Sequence, residues 1–139
     1  GTVYTNPVIS LDVFTTIAGI MGIDLPVDRT YDGVNLIPFV NGEKTVIPHD
    51  RLCWRSDFNK AIIEGDWKLI VNEYDNTNQL YNIRTDSIEH HNLFLQKPEI
   101  AKQLQTNLDS WESEMIKPLW PRVVNYVYKD DLGKYVFAI

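Results

Sequence analysis

The fold is decided by residues 51–93, which read RLCWRSDFNKAIIEGDWKLIVNEYDNTNQLYNIRTDSIEHHNL. Two runs rich in β-branched and aromatic residues, 59–64 and 67–71, are separated here by Gly65 and Asp66. Glycine at the first position of a two-residue loop supplies the positive φ that a type II′ turn needs. This segment therefore predicts a β-hairpin.

The two-residue loop also fixes which residues of the hairpin face each other. Glu64 lies opposite Trp67, and Ile62 lies opposite Leu69. Apolar residues then fall on both faces of the ribbon, so we expect both faces to be covered. A further run at 79–83 follows a turn-rich segment and predicts one more antiparallel strand.

A helix is predicted before this region and another after it. Apolar residues recur at helical spacing from Asp12 to Ile20, with Ser10 or Asp12 available as the N-cap. The stronger pattern runs from Pro98 to Ile116, because proline suits a first helical position and one apolar stripe follows it. The stripe consists of Ile100, Ala101, Leu104, Leu108, Trp111 and Met115. These elements predict an α+β fold, a small antiparallel sheet of about four strands packed against a long C-terminal helix.

Composition limits the classes of protein to consider. The chain has 139 residues, 44% of them hydrophobic, which is enough for one globular domain. A net charge of −6 argues against a nucleic-acid partner, since the phosphate backbone binds basic surfaces. No apolar run approaches the roughly 18 residues of a membrane span. The single cysteine, Cys53, excludes an internal disulfide, and the sequence has no paired Cys/His spacing of a zinc site.

The residues that could carry chemistry are better explained by structural roles. Cys53 lies in a predicted strand and is interpreted as a small buried hydrophobe. His90 and His91 lie in a polar loop, His49 stands alone, and the nearby Asp86, Glu89 and Asn92 are interpreted as turn and cap residues. The sequence contains no glycine-rich phosphate loop, no G-x-S-x-G and no H-E-x-x-H. We therefore predict no catalytic residue and no metal ligand in this chain.

Seven short segments, taken in order, carry a resemblance to a known family. They are 12–19 (DVFTTIAG), 32–38 (DGVNLIP), 51–55 (RLCWR), 65–70 (GDWKLI), 80–83 (LYNI), 86–93 (DSIEHHNL) and the closing helix. Together they resemble the C-terminal end of the arylsulfatase-type sulfatases, in the alkaline-phosphatase-like superfamily. The resemblance covers about residues 7–121 and departs from the family at Thr15, where a proline is usual.

The resemblance implies a division into domains. Residues 1–48, with the helix at about 12–20 and a loop at 22–48, would be the tail end of an upstream α/β catalytic domain. Residues 49–121, with the helix 98–116, would form the C-terminal sulfatase subdomain. Residues 122–139 read as a C-terminal hairpin or extended tail.

The resemblance also implies what the parent protein does and what this chain lacks. In sulfatases a Cys or Ser in a Cys/Ser-x-Pro/Ala-Ser-Arg motif is oxidised to formylglycine, and a calcium ion helps to hold the sulfate. Cys53 is followed by Trp-Arg-Ser, so the motif is not here. The implied partners are a missing N-terminal catalytic domain and a sulfated carbohydrate or aryl sulfate substrate, and the implied compartment is periplasmic or extracellular. The chain alone is expected to have no sulfatase activity.

In the resembled family the C-terminal sheet lies beside the mouth of the active site. By position, Trp54, Arg55 and Asn59 are the candidate substrate-binding residues. Their alternative role is sheet packing and solvation.

Two other functions stay open. A phosphoesterase or phosphonate hydrolase of the same superfamily would share the scaffold and differ in its upstream nucleophile. A non-enzymatic interaction module would use its aromatic tail to extend the sheet of a partner. The aromatic residues of this tail are Tyr126, Tyr128, Tyr135 and Phe137. If the chain is a truncation, a face that met the missing domain would be exposed and prone to self-association.

Overall fold

An antiparallel sheet with a helix on one face dominates the second part of the chain. The computed structural model describes residues 1, 3–120, 123–131 and 133–138, and it divides into the units Gly1–Asp50 and Arg51–Ile139. The fold is α+β, as predicted. The division at 48/49 and 121/122 stays a prediction.

The sheet consists of four strands in the order β1-β2-β3-β4. They are β1 (Arg51–Ser56), β2 (Asn59–Glu64), β3 (Trp67–Asn72) and β4 (Thr77–Asn82). The predicted register is confirmed, because Glu64 pairs with Trp67 and Ile62 pairs with Leu69. Gly65 has a φ of 58°, which is the positive value that the tight turn requires. The fourth strand begins at Thr77, two residues earlier than the run at 79–83 indicates.

Helix α3 (Pro98–Ser113) covers one face of this sheet. The buried core between them consists of Ile62, Leu69, Val71, Leu80, Ala101, Leu104 and Leu108. Fully burying one such leucine stabilises a fold by about 1.5–3 kcal/mol. The apolar stripe of α3 faces the sheet because its side chains are buried against the apolar side chains of the strands.

The predicted end of this helix, Ile116, is wrong by one turn. After Ser113, the N–H groups of Glu114 and Met115 bond to the carbonyls of Trp111 and Glu112, three residues back. This tighter bonding ends the α-helix. Met115, which the sequence places in the buried stripe, lies beyond the helix and is 40% exposed.

The tail forms a separate two-stranded hairpin, β5 (Asn125–Lys129) and β6 (Lys134–Ala138). It is joined to the face of the sheet opposite α3, because the carbonyl of Val136 accepts hydrogen bonds from the side-chain amides of Asn59 and Asn72. The Val136 side chain is buried. Position 121 of the predicted subdomain and positions 122, 132 and 139 of the predicted tail lie outside the described residues.

The first unit contains helix α1 (Asp12–Ile20) and the short helix α2 (Ile37–Val40). Helix α1 has the predicted bounds, but the prediction of its N-cap is wrong: the cap is Leu11, with no side-chain cap bond. The buried residues of α1 are Asp12, Thr15 and Ala18. The large apolar side chains of α1, Val13, Phe14, Ile17 and Ile20, are exposed, and so is Met21 at its C-cap. None of the helices in the described part of the chain is long and apolar enough to span a membrane.

Candidate functional site

The candidate substrate-binding residues lie at the β1–β2 end of the sheet but do not share one face. Trp54 pairs with Ala61, and Arg55 pairs with Lys60. Because side chains alternate along a strand, Trp54 and Asn59 lie on the face opposite α3, and Arg55 lies on the α3 face. Trp54 is 37% exposed. The structure therefore brings two of the three residues onto one surface.

Arg55 belongs to a network of charges between the sheet and α3. Its guanidinium donates to the carbonyl of Ile116 at 2.7 Å and lies 3.4 Å from Glu112. The buried Lys60 donates to Glu112 at 2.5 Å and to Glu73 at 2.6 Å. The network ties the end of α3 to β1 and β2, and an anion binding there would compete with Glu112 for both cations.

The pKa values of this network reflect the mutual pairing. Burial acts to raise the pKa of Glu112, but its hydrogen bond and charge interaction with Lys60, together with Arg55, hold that pKa below its ordinary value. Burial likewise acts to lower the pKa of Lys60, and the two glutamates outweigh it and raise that pKa. Lys60 is therefore a charged structural group and not a proton-transfer group at neutral pH.

Cys53 lies against the buried core beneath α3. Burial raises the pKa of its thiol to about 11. Because the thiolate is the nucleophilic form, this cysteine is a poor nucleophile at neutral pH. The structure agrees with its interpretation as a small hydrophobe.

The acidic and amide residues of the loop 86–93 mostly satisfy backbone groups, as predicted. The carboxylate of Asp86 accepts the N–H groups of His90 and His91 at 3.1 and 2.8 Å. Asn92 accepts the N–H of Leu80 at 3.0 Å, and its own amide donates to the carbonyl of Asn78.

Glu89 has a different role in the same loop, because it accepts a hydrogen bond from Lys68 at 2.7 Å. Lys68 is therefore an ion-paired residue of β3. Among the described residues, no group of three or more His, Cys, Asp or Glu side chains is arranged to hold a metal ion.

Sequence reasoning missed a buried pair in the first unit. The carboxylate of Asp12 is fully buried and accepts the N–H groups of Ile9 at 2.9 Å and Val34 at 2.8 Å. Nε2 of His49 lies 2.9 and 3.0 Å from the two carboxylate oxygens. Burial acts to raise the pKa of Asp12, but the hydrogen bonds from these partners outweigh it and lower that pKa. With no solvent access to its carboxylate, Asp12 fixes conformation and does not contact a substrate.

The comparisons with known proteins point to one family. No family model matches the chain. The choline-sulfatase of Rhizobium meliloti (strain 1021) is 35% identical over 94 residues, which are 65% of this chain and 18% of that protein. The solved structure of Ps i-CgsB has a TM-score of 0.68 at 22% identity, over 84% of this chain and 27% of that one. A 2-O GAG sulfatase has a TM-score of 0.60 at 22% identity, over 73% of this chain and 24% of that one.

These matches define the class of protein to which the chain is related. The chain is homologous to part of a sulfatase over the 94 matched residues, and its fold is that of part of the solved neighbours. It spans less than a third of the length of each of these relatives.

Proposed function

We propose that this chain is the C-terminal portion of a sulfatase, a sulfuric ester hydrolase, in which it supports the active-site domain and borders the substrate mouth. The observation that carries the proposal is the 35% identity to a choline-sulfatase of which the chain covers only 18%. Most residues of that choline-sulfatase lie outside the matched region. The chemistry is proposed to lie in that larger part.

The exposed face of α1 supports a covering domain. Phe14 and Ile17 are 57% and 51% exposed, although helical spacing places them on an apolar face. Apolar faces of helices are normally buried against another element. The proposed occupant of this face is the rest of the sulfatase catalytic domain.

We place the reactive groups of sulfate-ester hydrolysis outside this sequence. That reaction needs an activated nucleophile and positive charge to stabilise the developing anion. The thiol of Cys53 has a pKa raised by burial to about 11. The described residues contain no group of three or more His, Cys, Asp or Glu side chains that could hold a metal ion. Formylglycine and calcium are therefore proposed for the parent enzyme, on residues outside this sequence.

The proposed substrates of the parent are sulfated carbohydrates or aryl sulfates. The support comes from the names of similar proteins, among them a 2-O GAG sulfatase and Ps i-CgsB, which was solved in complex with k-i-k-neocarrahexaose. Trp54 fits such a role because an aromatic ring that is partly exposed can stack on a sugar or aryl group. Asn59 lies on the same face.

A sulfate-release assay tests the proposed function. The 139-residue chain and a longer polypeptide that includes the residues encoded ahead of Gly1 are each incubated with an aryl sulfate and a sulfated oligosaccharide. We expect sulfate release by the longer polypeptide alone. Desulfation by the 139-residue chain itself would contradict the proposal. Phosphate-ester hydrolysis by the longer polypeptide without sulfate release would favour the phosphoesterase alternative.

Substitutions in the longer enzyme test the substrate mouth. We expect Trp54→Ala, Arg55→Ala and Asn59→Ala each to raise KM for a sulfated substrate, with kcat changed less, since these residues would bind substrate and transition state alike. Arg51→Ala is the matched control, because Arg51 lies on the same strand and is largely exposed. An unchanged kcat/KM in all three variants would dismiss the role. Arg55→Ala also needs a stability measurement, because Arg55 binds the end of α3.

A further inference from the structure

A cavity of about 260 Å³ lies between the face of the sheet opposite α3 and the β5–β6 hairpin. Its volume is just below the range of about 300–1,000 Å³ typical of sites for drug-sized ligands, so it suits a small molecule. Aromatic rings and carboxylates are prominent in its lining. They include Tyr81, Tyr135, Phe137, Glu89 and Asp130.

The amide groups around this cavity are already used to hold the hairpin in place. The side-chain amides of Asn72 and Asn59 donate to the carbonyl of Val136 at 2.9 and 3.3 Å. Gln79 and Tyr135 are joined by a side-chain hydrogen bond. A polyol such as a sugar needs several amide or hydroxyl partners. Because these amides are already hydrogen-bonded within the protein, we expect a ligand that contacts the aromatic rings and the carboxylates instead.

Four carboxylates act on the two tyrosines of the cavity, against one lysine, Lys68, which lies opposite Tyr81 in the β3–β4 register. Burial, followed by the nearby Tyr135, Glu89 and Asp86, raises the pKa of Tyr81 to about 12. Burial and Asp130 are the leading causes of the raised pKa of Tyr135, and Asp131 contributes as well. Both phenols therefore stay neutral at pH 7, and the surrounding field disfavours an anion.

Lys68 lies opposite Tyr81 on the neighbouring strand, and its ammonium donates to Glu89 at 2.7 Å. Among the described residues that line the cavity there is no lysine, arginine or histidine. A sulfate or phosphate group would therefore meet no cation among the described lining residues, and the adjacent Lys68 is already paired with Glu89.

We propose that this cavity is a binding site for a small organic cation, a quaternary or protonated amine, held by Tyr81, Tyr135 and Phe137 with Glu89 and Asp130 nearby. A cation over the face of an aromatic ring is attracted by the negative charge density of the ring, and quaternary ammonium groups are bound in this way. The site uses residues of the second unit only. Asn59 of the proposed substrate mouth also lines the cavity, but none of the ring and carboxylate residues of the site belongs to that mouth, and the proposal does not depend on the proposed function.

The test is a titration of the 139-residue chain with tetramethylammonium chloride, followed by NMR chemical shifts. tert-Butanol, which has a similar shape and no charge, and glucose are titrated in parallel at constant ionic strength. We expect tetramethylammonium to bind with a dissociation constant lower than that of tert-butanol by about fivefold or more. Equal binding of tert-butanol would overturn the proposal. Preferential binding of glucose would overturn it too and would assign a neutral polyol.

Variants locate the binding in this cavity. Tyr135→Leu removes one ring and keeps an apolar side chain, so we expect about fivefold weaker binding of tetramethylammonium. Glu89→Gln keeps the size of the side chain, removes a negative charge and should also weaken binding. Tyr126→Leu is the control, because Tyr126 is exposed on the same hairpin and does not line the cavity. If Tyr135→Leu fails to fold, Glu89→Gln decides, and unchanged affinity in that variant would overturn the proposal.

Discussion

At the scale of single residues, the buried carboxylate of Asp12 joins three separate parts of the first unit. It accepts the N–H groups of Ile9, before α1, and of Val34, in the loop after it, and contacts His49. A Cβ on Gly33 would collide with the carbonyl of Leu11, so glycine is required where this loop passes the start of α1. Together these contacts fix the loop against the helix.

Asp12→Asn should destabilise the chain by about 1–3 kcal/mol, because it removes a buried carboxylate that accepts two backbone N–H groups. An asparagine also presents an N–H group where the N–H groups of Ile9 and Val34 need an acceptor. Urea unfolding measures the effect. Asp28→Asn is the control, since Asp28 and its partner Arg29 are both largely exposed, and it should leave the unfolding midpoint unchanged. Equal midpoints for the two variants would contradict this account.

The same residue gives the stability a defined dependence on pH. The pKa of Asp12 is lowered from 3.8 in the folded chain. Its contribution is therefore fully present above the unfolded value and is lost as the pH falls through the lowered folded value. Between pH 4 and pH 2, the wild-type chain should lose more stability than Asp12→Asn does. A parallel loss in both chains would contradict the assignment.

Sequence reasoning did not find this pair because no local signal marks it. Asp12 and His49 are 37 residues apart, and an aspartate at the start of a helix is ordinarily explained by capping or by the helix dipole. The network around Arg55 escaped prediction for the same reason. Its partner Glu112 is 57 residues away, on an element whose position is set by the core.

At the scale of elements, the hairpin β2–β3 was predictable to the residue and the end of α3 was not. The Gly65 turn sets the register locally, so the pairs follow from counting. The β1–β2 loop has no such signal, and its Asp57 adopts a φ of 54° that aspartate tolerates better than most residues. The end of a helix depends on tertiary contacts as well as on sequence pattern. Pro118 is the stop signal in the sequence and allows a helix longer than the observed one, which ends at Ser113.

Leu108 and Met115 test where α3 meets its core. Leu108 is fully buried and Met115 lies beyond the helix. We expect Leu108→Ala to cost about 2–5 kcal/mol of unfolding free energy, because it opens a cavity in the core. Met115→Ala should cost less than about 1 kcal/mol, because a partly exposed side chain loses little packing. Thermal unfolding of both variants compares them directly, and similar costs would mean that the stripe continues to Ile116.

At the scale of the whole molecule, the chain exposes an apolar helix face. The pattern of α1 was read correctly from the sequence, but the element that covers its apolar side is not among the described residues of the first unit. A pattern tells which side of a helix is to be buried and does not tell what buries it. For the same reason, the sequence predicts the candidate substrate-binding residues only as part of a larger site, whose other residues it does not identify.

The isolated chain should therefore self-associate through α1. Replacing Phe14 and Ile17 with glutamine should lower the apparent mass in light scattering, since it removes apolar area from the exposed face. The same double substitution should destabilise the longer enzyme, in which the face is proposed to be covered. Val27→Gln is the control, because Val27 is fully exposed outside α1. Self-association that is unchanged by the double substitution would contradict this role for the face.

The way β4 ends the sheet limits what kind of aggregate the chain can build. On the outer side of β4, the loop that follows it already occupies the N–H and carbonyl of Leu80 and the carbonyls of Asn78 and Asn82. A strand from another molecule finds no free backbone ladder along this border. Growth of this four-stranded sheet by strand addition is left to the opposite border, β1, and two copies joined there turn their covered β4 borders outward. Such pairing stops at a closed dimer instead of propagating into a fibril.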